Sequence, residues 1–590
     1  MQHEQPSSES DFSFISFFKT LTTSKVLHTI IILGLIVFAN MLVNQFVWDD
    51  LTYVLPNAST YGLDIGALLS PNYFNSYGYY RPIPAFYFSF IHLFAQDAPF
   101  FYHLVQLALH ITSTVLLYFL FAKAMHKHIA LLISLIFLVH PMQIESVSFI
   151  AQAGNVISFL FGLLALRYAS LEKKLEKKTV LIFFFFLLAL LTKESAIAFF
   201  PILLLYKYFF SQKNLLIYFG ISLVTVLVYF AIRFGIGDTP FYKMIFVPIA
   251  ELSFGERVVN MPAILSYYLT TFIFPNKLAI MQYWTVTSLD WQSFYLPILI
   301  CLLLFVCLIG IGFRLKKGDD INKWYWFYFA WFVIGLLPLL HITPLNQTVS
   351  DRWFYFPMAG LLALIGIIIQ QVSKPKRVGP IFISILIILI MLFSLRTIAR
   401  NANWHDVRTL YSHDVHLTES YNLEAHLSNE YLGTNELDKA RLHMERSVSL
   451  HPSDQSVSGL GYIYELQGNT EKAEEYYLAS LTTQSYGSVF EHSPQVYINL
   501  GRYYLYIKKD PEQAKKFIEK GLDEYPDSFL LLILLVQYES QYGDIEKAKA
   551  AAQQVYEIMP NPQTQDLAQR LQRNERIDIP LWTFYPNRKP

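Results

Sequence analysis

Apolar runs dominate the chain up to about residue 400 and then stop. They fall at 26–47, 98–122, 129–147, 149–169, 179–192, 195–210, 214–236, 258–274, 293–313, 324–341, 353–371 and 379–398. About twenty consecutive apolar residues suffice for a helix to cross a hydrocarbon core, so the pattern predicts a polytopic, all-α membrane bundle over 26–400. Several runs are short, and the pairs 129–147/149–169 and 179–192/195–210 are separated by very little. The first run follows a polar head, 1–25. It is too long for a signal-peptide core and lacks a small-x-small cleavage site, which predicts an uncleaved anchor.

After Arg400 the chain turns polar, charged and helical in period. Leu427/Tyr431/Ala440/Pro452, Leu460/Gly461/Tyr464/Ala473, Leu500/Gly501/Tyr504/Ala514/Pro526 and Leu535/Ala548/Pro560 recur. Ala440 and Ala473 are 33 residues apart and Ala514 and Ala548 are 34 apart. The step of 41 between them holds the insertion "TTQSYGSVFEHSP". This is the tetratricopeptide pattern, in which large, small and aromatic residues let paired helices interlock and stack. It predicts a linker at 401–421, an α-solenoid of about four repeats at 422–562, and a cap or tail at 563–590.

Composition agrees with a bilayer. Hydrophobic residues make up 54% and charged residues 15%, against roughly 25% charged in an ordinary globular protein. Phe (49) and Tyr (39) are abundant, as they often are along membrane interfaces. Basic and acidic residues balance at 45 each, which gives no sign of a nucleic-acid partner. Cys301 and Cys307 lie in one apolar run and exclude a disulfide framework.

Basic residues orient the bundle. Lys19 and Lys25, Lys123 and Lys127, "LEKKLEKK" (171–178), Lys213, "RLKKGDDINK" (314–323) and "SKPKR" (373–377) mark cytoplasmic ends. If every run crossed, "RLKKGDDINK" would lie outside. Treating 258–274 as re-entrant or interfacial restores parity, with about eleven crossings and a cytoplasmic amino terminus. "QFVWDDLTYV" (45–54), "SYGYYRPIP", "HPMQIES", "TKES" and "TPLNQTVSDR" then share the outer side with the repeats.

These outer segments hold the polar residues that a bilayer protein places sparingly. Asp49 and Asp50 either end the first helix in water or supply a general base. Adjacent side chains on extended backbone point oppositely, so one at most is the base. Arg81 is either an interfacial anchor or a two-pronged phosphate ligand. His140 and Glu145 sit in a loop whose proline starts the next helix. Lys193 and Glu194 suit an interhelical ion pair, yet a lysine on the outer face asks for an anion. Asp351 and Arg352 precede an aromatic belt. There is no compact His/Cys cluster with zinc-ligand spacing.

The ordered set "VWDD…YYRP…HPMQIESV…TKES…SDRWFYFP", followed by the repeats, resembles the transmembrane and tetratricopeptide-repeat O-mannosyltransferases. They form part of the GT-C class of membrane glycosyltransferases. The resemblance runs along nearly the whole chain. It implies catalytic Asp49 and Asp50, donor-phosphate ligands Arg81, Lys193 and Arg352, and supporting Tyr80, His140, Glu145, Glu194 and Asp351. Asp351 stands where the family usually has glutamate. The implied reaction is inverting transfer of a mannose-like sugar from a polyprenyl- or dolichyl-phosphate donor to a hydroxyl, with Ser/Thr of a polypeptide recruited by the repeats as acceptor. Asp50 is the preferred base by a narrow margin. The acid pair permits a divalent metal, whereas the resemblance implies none; the lipid-linked sugar is a co-substrate rather than a cofactor. Alternative readings are a lipid-linked glycan transferase or ligase with a glycan acceptor, and a non-enzymatic membrane-anchored repeat scaffold. The expected location is a bacterial inner membrane with the site and repeats in the periplasm, the alternative being the endoplasmic reticulum membrane and lumen.

Overall fold

The computed structural model describes residues 20–56, 62–69, 79–171, 175–211, 213–237, 247–317, 319–372, 378–483 and 491–577. Outside this set lie "SKPKR", residues 484–490 of the repeat insertion, 578–590 of the tail, most of the polar head, most of "SYGYYRPIP" before Tyr79, and residues 172–174 of "LEKKLEKK". The chain divides into two compact units, one of residues 1–243 and 248–413, the other of 414–590 with 244–247.

The first unit is a helical bundle. Its principal helices are α1 (Thr23–Val37), α2 (Pro82–Ala95), α3 (Pro99–Phe121), α4 (Lys127–Val139), α5 (Ala153–Ala169), α6 (Leu175–Thr192), α7 (Phe199–Phe210), α8 (Leu215–Gly235), α9 (Phe254–Ile273), α10 (Leu296–Arg314), α11 (Asp320–Leu336), α12 (Tyr355–Val372) and α13 (Val378–Asn403). Among the described residues seven helical stretches are long and apolar enough to cross a membrane. An eighth forms if α4 and the following Pro141–Val147 segment, bent by 51° at His140, count as one span. The chain is thus a multi-pass membrane protein. The three other expected crossings, 26–47, 179–192 and 195–210, correspond to helices that are short or charged at one end.

Local chemistry explains where these helices begin and end. Pro82 and Pro99 open α2 and α3, where the missing N–H costs nothing and φ is already helical. The segment holding Arg81 therefore leads into a helix that the spacing of apolar runs did not predict. Ser253 and Glu256 form a reciprocal capping box on α9. The apolar run 26–47 is α-helical to Val37 and then tightens into a 3-10 turn at Ala39–Val43. Asn40 and Asn44 donate their side-chain amides to the carbonyls of Ile398 and Asn401 on α13, at 2.8 and 3.1 Å. Gly360 lets α12 approach α11 closely, since a Cβ there would sit 2.7 Å from the Phe332 backbone nitrogen.

The second unit consists of helix pairs. They are α14/α15 (Tyr421–Gly433, Leu437–Leu450), α16/α17 (Asp454–Leu466, Thr470–Ser480), α18/α19 (Pro494–Arg502, Pro511–Glu524) and α20/α21 (Phe529–Tyr542, Ile545–Ile558), followed by α22 (Pro562–Gln572). Ala440, Ala473, Ala514 and Ala548 are all fully buried where the second helix of each pair meets the first. Ser428, at the small-residue position of the first repeat, donates to the Ala440 carbonyl at 2.7 Å. Neighbouring repeats are tied by the Arg502–Glu465 fork (2.7 and 2.6 Å) and by Asn499 donating to Ser458 (2.9 Å).

Ala514→Leu would overpack one such crossing, an error that costs about 1–3 kcal/mol. The expected outcome is that much loss of amide-exchange protection in α18 and α19, with the helices of the first unit unchanged.

Candidate functional site

The site is built on a short turn after α1. Val47 donates its N–H to the Asp50 carboxylate (3.1 Å), while Asp50 donates its own N–H to the Val47 carbonyl (3.0 Å). The other Asp50 oxygen accepts the Ala151 N–H at 2.7 Å. Asp50 is fully buried and clasps the first loop to the turn that opens α5. Burial pushes its carboxyl well above the ordinary range, with the Val47 and Ala151 N–H groups pulling back.

Asp49 lies beside it with neither constraint and is only half-buried. Burial pushes its carboxyl up to about 6, and the charge of Arg352 pulls it down. The two aspartates are thus set apart by environment, one bonded to backbone and the other lying in the field of a cation.

Arg352 is held from behind. Its guanidinium pairs with Glu145, and both side chains are only 5% exposed. Glu145 also accepts the Arg352 N–H at 3.0 Å and the Ser350 hydroxyl at 2.8 and 2.9 Å. A buried carboxylate so fully bonded is a rigid holder for its cation.

Lys193 follows α6 and donates to the Asn155 side-chain oxygen on α5. Burial, then the neighbouring charges of Arg81 and Arg352, hold its ammonium well below the usual lysine range. Lys193 and Arg352 both line a cavity of about 140 Å³ whose other walls include Phe159, Phe199, Tyr355 and Phe356. An apolar pocket with two cations on its wall suits a lipid whose head carries an anion.

Arg81 reaches Glu194 through Nε and Nη2, at 3.1 and 2.8 Å. Arg233, from α8, approaches the other Glu194 oxygen at 3.2 Å. Burial pushes the Glu194 carboxyl up, but the Arg81 charge and hydrogen bond outweigh it and hold the group below its ordinary value. Tyr79 stacks on Arg81 at 3.9 Å. Tyr80 is buried, and among the described residues its hydroxyl has no hydrogen-bond partner.

Asp49, Arg352, Glu145, Lys193, Arg81 and Glu194 therefore form one electrostatic network. His140 and Asp351 serve a different contact. His140 donates from Nε2 to the Phe272 carbonyl (2.9 Å) and accepts the Met142 N–H at Nδ1 (3.3 Å). Asp351 accepts the Tyr267 hydroxyl at 2.8 Å. Both dock α9 against the loops that carry Glu145 and Arg352.

Sequence reasoning passed over Arg233, Asn155 and Gln106. Arg233 had a signal, as the single charged residue within the apolar run 214–236. Gln106 sits one turn from His103 and His110 on α3 and donates to the carbonyls of Ser146 (2.8 Å) and Phe149 (3.0 Å), bracing the loop that meets Asp50.

A tetratricopeptide-repeat family model matches residues 456–485 and 494–528. Human protein O-mannosyl-transferase TMTC3 is 22% identical over 550 residues, covering 83% of this chain and 59% of that protein. Protein O-mannosyl-transferase F38B6.6 of Caenorhabditis elegans is 25% identical over 459 residues, 72% of this chain and 62% of the relative. Mouse TMTC3 is 21% identical over 551 residues, covering 83% of this chain and 59% of that protein. The chain thus spans about three-fifths of the length of these relatives. With its apolar helical bundle and its tetratricopeptide repeats, the chain is similar over most of its length to these protein O-mannosyl-transferases.

Proposed function

We propose that this chain is an inverting glycosyltransferase of the GT-C class. It moves a mannose-like sugar from a polyprenyl- or dolichyl-phosphate donor to a hydroxyl, that of Ser or Thr in a polypeptide recruited by the repeats. The observation that carries the reading is a half-buried Asp49 carboxyl lying in the electrostatic field of Arg352, which also lines the apolar, Lys193-bearing cavity.

In this reading the base is Asp49 rather than Asp50. Asp50 has both oxygens engaged by backbone N–H groups and no exposed surface. Asp49 takes the acceptor's proton as the hydroxyl oxygen attacks the anomeric carbon. The bond from that carbon to the phosphate oxygen breaks, and its electron pair leaves with the phosphate. Negative charge grows on the leaving phosphate, where Arg352 and Lys193 stabilise it. Arg81 adds positive field while sharing Glu194 with Arg233. Glu145 and Glu194 orient the cations; His140, Asp351 and Tyr80 support the loops. The outer face is non-cytoplasmic in this reading, periplasmic in a bacterial cell. No metal enters the scheme, because Asp50 spends its oxygens on the backbone and leaves Asp49 as a lone carboxylate.

Membranes given a panel of radiolabelled polyprenyl-phosphate sugars are expected to label protein, and EDTA is expected to leave the rate unchanged. Absence of transfer from every donor overturns the reading. Asp49→Asn is expected to lower the rate about 10²–10⁴-fold, the usual contribution of a general base, while leaving proteolytic fragments unaltered. Asp50→Ala strands two buried N–H groups at about 1–3 kcal/mol each and is expected to expose the first loop to protease. A base must be unprotonated to act. The rate should therefore level off about a unit above the Asp49 midpoint of about 6 and fall about tenfold per unit well below it. A rate independent of pH between 5 and 7 would remove Asp49 from the role.

A further inference from the structure

The residue before Asp49 adopts a backbone conformation that its side chain disfavours. Trp48 has a φ of 51°, in the left-handed region that bulky residues avoid. Asp49 follows at φ −62° and ψ −17°, and the Asp50 N–H closes the turn on the Val47 carbonyl at 3.0 Å. A four-residue turn with its second residue left-handed is normally given to glycine. Here a tryptophan occupies it, so something outside the turn must hold it there.

The holder is an aromatic stack. The Trp48 ring lies on Phe149 with centroids 5.2 Å apart and planes within 7°. Trp404 packs against the same phenylalanine at 5.5 Å. Phe149 is itself fixed, since its carbonyl accepts Gln106 and the nearby Ala151 N–H is bound to Asp50. The Arg352 guanidinium stands 6.0 Å from the Trp48 ring. The indole therefore connects the turn that carries Asp49 to the cation that acts on it.

We propose that Trp48 is a positioning residue, whose stacked ring holds the strained turn and so sets where the Asp49 carboxylate stands relative to Arg352. This rests on the transferase reading above for its catalytic consequence, not for its structural part. The charged groups around Asp49 are Asp50 on its own turn and Arg352 across from it, with Glu145 and Lys193 behind the arginine.

Two substitutions separate positioning from folding. Trp48→Gly removes the ring but accepts the left-handed backbone without strain, and Trp48→Phe keeps an aromatic ring on Phe149. Full-length protein in detergent would be assayed for donor transfer. In parallel, Asp49 would be labelled with dicyclohexylcarbodiimide, which captures protonated carboxyls, across pH and located by tandem mass spectrometry. Trp48→Gly is expected to lower kcat by about 10²-fold, the scale of a roughly 1 Å misplacement, with the donor KM within about twofold because Lys193 and Arg352 remain. Its labelling midpoint should shift, since both the burial and the Arg352 field that set it depend on where Asp49 stands, and Trp48→Phe should restore most of both. Wild-type kcat and midpoint in Trp48→Gly overturn the proposal. So does an activity loss shared equally by both variants with the midpoint unmoved. If the unsubstituted protein transfers no sugar, the functional reading falls while the labelling midpoint still decides the part played by Trp48.

Discussion

The buried pair between Glu145 and Arg352 is the contact on which the outer face depends. Taking two charges out of water is expensive, and their attraction offsets that cost only when the remaining hydrogen-bonding sites are filled. Here they are, because Glu145 also accepts the Ser350 hydroxyl and the Arg352 N–H. Arg352 thereby becomes a fixed charge. It acts on the Asp49 carboxyl, lines the cavity shared with Lys193, and stands near the Trp48 ring.

Charge balance around the cavity points the same way. Lys193 and Arg352 line the cavity, with Arg81 and Arg233 on Glu194 and Arg352 on Glu145 nearby. Among the described residues each of these arginines is matched to a carboxylate, whereas Lys193 hydrogen-bonds the neutral oxygen of Asn155. Burial, and after it the charges of Arg81 and Arg352, depress its affinity for a proton. A phosphate group entering the cavity would relieve that repulsion, so binding of an anionic lipid head and full charging of Lys193 favour each other.

Local features of this chain were legible in its sequence, and remote pairings were not. Most helices of the bundle follow from apolar runs, and the repeat helices follow from the spacing of Ala440, Ala473, Ala514 and Ala548, because helical period is a property of neighbouring residues. The pairing of the turn after α1 was hidden, since Asn40 and Asn44 find their carbonyls on α13, more than 350 residues away. Motif order flagged His140 and Asp351 along with Arg352, yet only contacts reveal that they hold α9 while Arg352 faces the cavity. Arg233 was visible as a lone charge in an apolar run, but its meaning depends on Glu194 on another element.

The adjacent aspartates show the same limit most sharply. In sequence they are equivalent, and an extended backbone says only that they diverge. What separates them is a second loop, 149–151, which supplies an N–H to Asp50 and a ring to Trp48. One acid is consumed in fastening the two loops together, and the fastening leaves the other acid free to face Arg352. A single aspartate at either position could not do both. Without Asp50 the turn has no clasp to Ala151, and without Asp49 it carries no second carboxyl in the field of Arg352. In the proposed reading the pair divides into a structural acid and a chemical acid joined by one peptide bond, and the left-handed tryptophan before them belongs to the same turn.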